Sequence, residues 1–378
     1  MKKLASLALA ILVTLLALYV VEVWLYLDDR DYRGRVARIA ASRGVEMDDR
    51  TVAEVVDDLR ARGVNAQPFF RLISRARDLM PVGNTPNRTI VFCNETGRYM
   101  VFRTDRHGFH NPDPLWDGEV DVVLLGDSFV QGACEPDGRD FANLLRADGL
   151  SVLNLGMGGN GPQLNLATLI EYAVPMRPKL VVWVHYAGND LIDMRRHRLV
   201  ARLREYVDVG ASHDLIHRSD EVERLMEGFF ESHGAEFAQN AEPDALLPEP
   251  GWQSLLRLPN LRRELGLAGA PRESPDFEYL ARTVERAGKI AEEAGIDLAF
   301  VVLPSEAQLW VQPDGFEVEK TKEILSAKGA PAFDLTPVFR AAGEEAVYAL
   351  GADGGHLSAN GNRIVAEFLR EKVLQRAD

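Results

Sequence analysis

Residues 122–132 read VVLLGDSFVQG: four consecutive apolar residues run into Gly126, and an acid and a hydroxyl follow at Asp127 and Ser128. A serine placed where a buried strand passes into a helix can act as a nucleophile if a base stands beside it. Taken alone, it reads first as a helix cap. Two further strand ends carry groups that suit the first role. NLGMGGNG (154–161) and AGND (187–190) place Gly159 and Asn189 on the same sheet edge as Ser128. The backbone N–H groups of Ser128 and Gly159, with the side-chain amide of Asn189, could converge on one developing oxyanion. Gly158, in the same glycine cluster, is the alternative donor to Gly159. The base comes from the far end of the chain, where ADGGH sets Asp353 and His356 three residues apart in a glycine-rich turn, just before a final helix capped by Ser358. There the Asp353 carboxylate would fix the imidazole tautomer and stabilise the imidazolium, while the other ring nitrogen takes the Ser128 proton. Asp127 reads as a carboxylate that braces the turn.

The elements that must position these groups are legible as a pattern. From residue 120 onward, short apolar runs (VDVVLLG, SVLNLG, KLVVWVHY, IDLAFVVLP, APAFDLTP) alternate with helical stretches. Continuous apolar strands separated by helices predict a parallel sheet covered on both faces, here a five-stranded sheet in a three-layer α/β/α sandwich. Ligands of such sheets bind beyond the carboxyl ends of the strands, where Ser128, Gly159 and Asn189 fall. Residues 28–119 lack strong periodicity, carry turn signals such as PVGNTPN and NPDPLWDG, and read as an appended region; His107 and His110 within it read as structural or surface groups. Between about 195 and 275 the alternation gives way to charged helical sequence, prolines and the amphipathic stretch WQSLLRLPNLRRELGL. This helical insertion has the length of a lid over the site, and equally of a solvated decoration or a partner surface.

The 378-residue chain has a net charge of −14 and 46% hydrophobic residues, which argues against a general nucleic-acid binder and against disorder. Lys2 and Lys3 precede an apolar run over 4–27 interrupted only by Ser6, Thr14 and Glu22. Since roughly 20 apolar residues span a bilayer, and no small-x-small cleavage site follows, the run reads as an uncleaved transmembrane anchor with a cytoplasmic N-terminus and the remainder exported. Cys93 and Cys134 are the two cysteines; they either pair in an oxidising compartment or remain separate buried thiols. GMGGNG (156–161) satisfies a dinucleotide-type glycine pattern, but it follows the second core strand, and the next strand ends in His185 and Tyr186 rather than an acid. His213 and His217 have metal-compatible spacing with no third ligand nearby, so a solvated helix face is the better reading. No cofactor or metal is expected.

The residues GDSF with Ser128, NLGMGGNG with Gly159, AGND with Asn189 and DGGH with Asp353 and His356 occur in the order of the SGNH (GDSL-type) hydrolases, and from about 120 to 375 the chain resembles that family. Phe129 stands where the family name has leucine, and Ala187 where a glycine is common two before the asparagine. The resemblance implies a flavodoxin-like sheet, a hydrolase domain over 120–375, and metal-free ester or acetyl chemistry by a Ser128–His356–Asp353 triad with Gly159 and Asn189 as oxyanion donors. Anchored members with a long insertion resemble proteins that modify acyl groups on envelope polysaccharides. The implied substrate is therefore an acylated carbohydrate or other small ester, the implied location the cell inner membrane with the catalytic domain exported, and the implied partner an envelope polysaccharide machinery. An O-acyltransferase, or a catalytically silent polysaccharide-binding or assembly protein, are the alternatives.

Overall fold

The computed structural model describes residues 2–30, 32–73, 79–239, 256–258, 261–262, 265, 275–311, 316–327 and 330–376. The chain divides into two compact units, residues 1–45 with 244–272, and residues 46–243 with 273–378.

In the first unit the apolar N-terminal run forms helix α1 (Lys2–Arg30), followed by α2 (Tyr32–Ser42). Leu9–Leu27 is long and apolar enough to cross a membrane, a property it shares with signal sequences. Its one acid, Glu22, is buried and accepts a hydrogen bond from the Leu261 N–H at 2.8 Å.

The second unit begins with α3 (Val52–Ala61), started by a reciprocal cap in which Thr51 and Glu54 satisfy each other's backbone N–H. A small sheet follows, in the order β1 (Ala66–Pro68), β2 (Thr89–Val91), β3 (Val101–Arg103), with β1 and β2 parallel and β2 and β3 antiparallel. The connection between β2 and β3 carries Cys93 and Glu95.

The main sheet comprises β4 (Val122–Leu125), β5 (Val152–Asn154), β6 (Leu180–Tyr186), β7 (Asp297–Leu303) and β8 (Ala332–Asp334). All its pairings are parallel, in the order β5-β4-β6-β7-β8. This is the five-stranded sandwich expected from the alternating pattern, with flavodoxin-like strand order. Side chains leave each strand to alternate faces, and here both faces are covered. Val123, Leu125, Val181, Trp183, Phe300 and Val302 join one core; Val122, Leu124, Val182, Val184, Val301 and Leu303 join the other. Each such aliphatic side chain, fully buried, contributes about 1.5–3 kcal/mol.

The layer on the second face contains α4 (Ser128–Gln131), α5 (Phe141–Ala147), α12 (Thr336–Ala342) and α14 (Ala359–Phe368), whose Phe129, Phe141, Phe339 and Val365 are buried. The first face is covered by α6 (Pro162–Thr168), α8 (Ala201–Val209) and α10 (Pro275–Ala294), with α7 (Asp190–His197) leading into them. The unit also contains helices α9 (Ser219–Gln239), α11 (Phe316–Ser326) and α13 (Glu344–Val347).

Two expected boundaries do not coincide with these units. Residues 28–119 are not a region of their own, because Phe70, Leu72, Met80, Phe109 and Trp116 share a core with sheet residues, whereas residues 28–45 group with α1. The insertion is likewise divided. Its first part builds the sheet-covering layer: Leu203, Tyr206 and Met226 are fully buried, and the Glu171 carboxylate accepts from Tyr206 Oη, His213 N and Leu215 N. Residues 240–255 and most of 259–274, where the amphipathic stretch falls, lie outside the described residues.

Candidate active site

Strand order in the main sheet reverses at β4, whose two neighbours lead away on opposite sides, and a crevice opens at the carboxyl ends of strands around such a switch point. Ser128 is the first residue of α4, directly after β4. The helix starts there because Asp127 caps it, accepting from Phe129 N at 3.0 Å, and ends at Gly132 in the left-handed conformation. The first N–H groups of a helix have no intrahelical acceptor, which leaves the Ser128 N–H available. Asp127 braces the turn as expected; burial, then the neighbouring Asp190 charge, push its carboxyl well above the usual range.

His356 meets Ser128, with Nε2 2.9 Å from Oγ. Its ring lies 5.0 Å from that of Phe129, whose ring in turn lies 3.9 Å from Tyr186 at a 35° tilt, so Phe129 packs beside the imidazole.

The carboxylate on the other side of the imidazole is not Asp353. It is Glu95, whose Oε1 lies 2.8 Å from His356 Nδ1 and whose Oε2 accepts the His356 backbone N–H at 2.6 Å. Asp353 sits exposed at the end of a 3-10 turn, and among the described residues its carboxylate has no hydrogen-bond or ion-pair partner. The physical reason is the pair of glycines between them: Gly354 and Gly355 have φ of 86° and 81°, and this left-handed passage separates the acid from the ring that three-residue spacing was expected to join. A Cβ on Gly355 would lie 2.7 Å from Glu95 Oε2, so the glycine also clears the space the glutamate occupies. Burial lowers the His356 pKa, but the charge of Glu95, its hydrogen bond and the Asp127 charge together outweigh that, leaving it above 6.5.

The two candidate glycines after β5 differ in what their N–H groups meet. The Gly158 N–H donates to Gln131 Oε1 at 2.8 Å, whereas the Gly159 N–H has no acceptor among the described residues. Gly159 takes φ +74°, open to glycine at little cost. Arg71 clamps this loop, donating to the Gly158 carbonyl and to Asn160 Oδ1, each at 2.7 Å. Burial brings its guanidinium down to about 10, so it remains charged at neutral pH. Asn189, following β6, starts α7; its Oδ1 is buried without a partner and its Nδ2 donates to no described residue. Cys93 and Cys134 are joined as a disulfide. His110 bridges Asp137 Oδ1 and the Gln131 carbonyl, and His107 faces Ser219 Oγ at 2.6 Å, both buried within the fold. His213 and His217 pair with Glu205 and Asp214 respectively, not with each other.

Ser128, His356 and Glu95 form a line that can deprotonate a serine hydroxyl and hold the resulting imidazolium against a carboxylate.

No family model matches the chain, and no curated protein matches it. Among solved structures, an acetyl xylan esterase is 13% identical and similar over 67% of this chain and 100% of its own, with a TM-score of 0.37. A putative lipolytic protein of the G-D-S-L family from Desulfitobacterium hafniense is 15% identical over 66% of this chain and 97% of its own, with a TM-score of 0.37. The lipase/acylhydrolase from Enterococcus faecalis is 15% identical over 68% of this chain and 96% of its own, with a TM-score of 0.36.

Proposed function

We propose that the protein is a serine ester hydrolase that removes acyl groups, chiefly acetyl, from an exported or cell-envelope carbohydrate, working from a membrane anchor formed by α1. The observation that carries this reading is the continuous line from Ser128 Oγ through His356, 2.9 Å on one side and 2.8 Å to Glu95 on the other, at the switch point of the sheet.

In the first step His356 Nε2 takes the Ser128 proton as Oγ attacks the ester carbonyl, and Glu95 stabilises the imidazolium that forms. The N–H groups of Ser128 and Gly159 and the Asn189 amide hold the oxyanion. His356 then protonates the leaving alkoxide, giving an acyl-enzyme. Water, activated by the same imidazole, releases the acid and restores Ser128.

The test is a fluorophosphonate label on the full chain followed by turnover of p-nitrophenyl acetate and of acetylated oligosaccharides. Labelling confined to Ser128 and release of acetate support the reading. Absence of both in a folded protein rejects it in favour of a saccharide-binding role. Acetyl groups appearing on an added saccharide instead of as free acetate would make the protein a transferase.

A further inference from the structure

Glu95 and His356 are held in register by more than their own hydrogen bonds. Cys93, two residues before Glu95, is disulfide-bonded to Cys134, six residues after Ser128. Thr96 Oγ1 donates to the Cys134 carbonyl at 3.1 Å, so the segment bearing the glutamate is tied on both sides to the chain leaving the nucleophile helix. Cys134 Sγ lies 3.2 Å from His356 Nδ1, the same ring nitrogen that faces Glu95. Cys134 also holds a left-handed backbone, φ 65°, a conformation that a residue with a Cβ keeps only where its surroundings over-determine it. The flanking strands β2 and β3 have three residues each, little scaffold to fix a catalytic carboxylate by themselves.

We propose that the Cys93–Cys134 disulfide is a positioning element of the reaction centre: it holds Glu95 against His356 Nδ1, and its reduction uncouples the acid from the base. This rests on the ester-hydrolase reading of Ser128 and His356. Reduction by a dithiol such as dithiothreitol supplies two electrons and two protons; the bridge becomes two thiols, and the reagent's own sulfurs close into a cyclic disulfide. The charged groups facing the imidazole are Glu95, from the β2–β3 connection, and Asp127, from the β4–α4 turn. Loss of the first removes the main support for the protonated ring.

The experiment compares the oxidised full chain in detergent with the same protein after dithiothreitol, using p-nitrophenyl acetate. Reduction should lower kcat by about 10- to 100-fold with KM within about twofold, as a displacement on the ångström scale does. It should also move the acid limb of the kcat/KM profile to lower pH, and reoxidation should restore both. The downfield imidazole N–H proton resonance, assigned by its absence in His356→Gln, should vanish on reduction. In a Glu95→Gln background, reduction should produce no further fall in kcat, since both changes remove one coupling. Equal losses in the two backgrounds, as unfolding would give, overturn the proposal. So does verified reduction that lowers Tm while kcat, pH limb and resonance stay put. A protein without esterase activity whose resonance still disappears on reduction would sink the hydrolase reading and leave the positioning role standing.

Discussion

Two regions approach the same imidazole with a carboxylate, and only one reaches it. The Gly351–Asp353 turn lies next to His356 in sequence, yet Asp353 is exposed; the β2–β3 connection lies 261 residues away, and both Glu95 oxygens contact His356. Nearness along the chain is thus a poor guide to nearness in space when two left-handed glycines intervene. A carboxylate that also accepts the histidine's own backbone N–H fixes the ring and the chain together.

That contrast can be broken at several points, beginning with the largest effect. Ser128→Ala should abolish the fluorophosphonate adduct and lower kcat by about 10,000-fold or more; residual labelling elsewhere in the fold would point to a different nucleophile. Next comes the direct comparison of acids. Glu95→Gln should lower kcat by about 100- to 10,000-fold while the chain stays folded, and Asp353→Asn should change it by less than about twofold. The reverse ranking in steady-state kinetics would return the acid role to Asp353. Asn189→Ala should cost about 100- to 1,000-fold in kcat with KM little changed, the signature of a donor used mainly in the transition state.

Gly355→Ala tests the geometry rather than the chemistry: a side chain in the left-handed region and 2.7 Å from Glu95 Oε2 should destabilise the fold by more than about 1 kcal/mol, read as a lower denaturant midpoint. The gentlest probe is pH. His356 must be neutral to act as base, and its pKa is raised above 6.5, so kcat/KM should fall as pH drops through a value above 6.5. Glu95→Gln should shift that fall to lower pH; an unmoved limb would mean that Glu95 does not stabilise the imidazolium.

Much of this was legible in the residues. Val122–Leu125 and Leu180–Tyr186 are continuous apolar runs because both sheet faces are covered, and the period of strand and helix reveals the sandwich. Ser128, Asn189 and His356 announce themselves by standing at strand ends or in a glycine-rich turn. Glu95 does not, since CNETGRY has neither strand nor helix periodicity and lies outside the repeating pattern. One signal was available: if Cys93 pairs with Cys134, the residue two beyond Cys93 must lie close to the loop that follows Ser128. The choice between Gly158 and Gly159 was out of reach, because it depends on where the Gln131 side chain ends. The division of the insertion was hidden for a related reason, as the burial of Leu203 and Tyr206 against the sheet is a tertiary fact that charged flanking sequence masks.

The origin of Glu95 upstream of the main sheet bears on how the proposed site can be dissected. A fragment starting near residue 120, where an observer guided by strand periodicity would cut, would retain hydroxyl, imidazole and the proposed oxyanion donors yet arrive without its counter-charge. On the proposed reading, a minimal piece that keeps the carboxylate beside His356 has to include Cys93 and Glu95 as well as the main sheet.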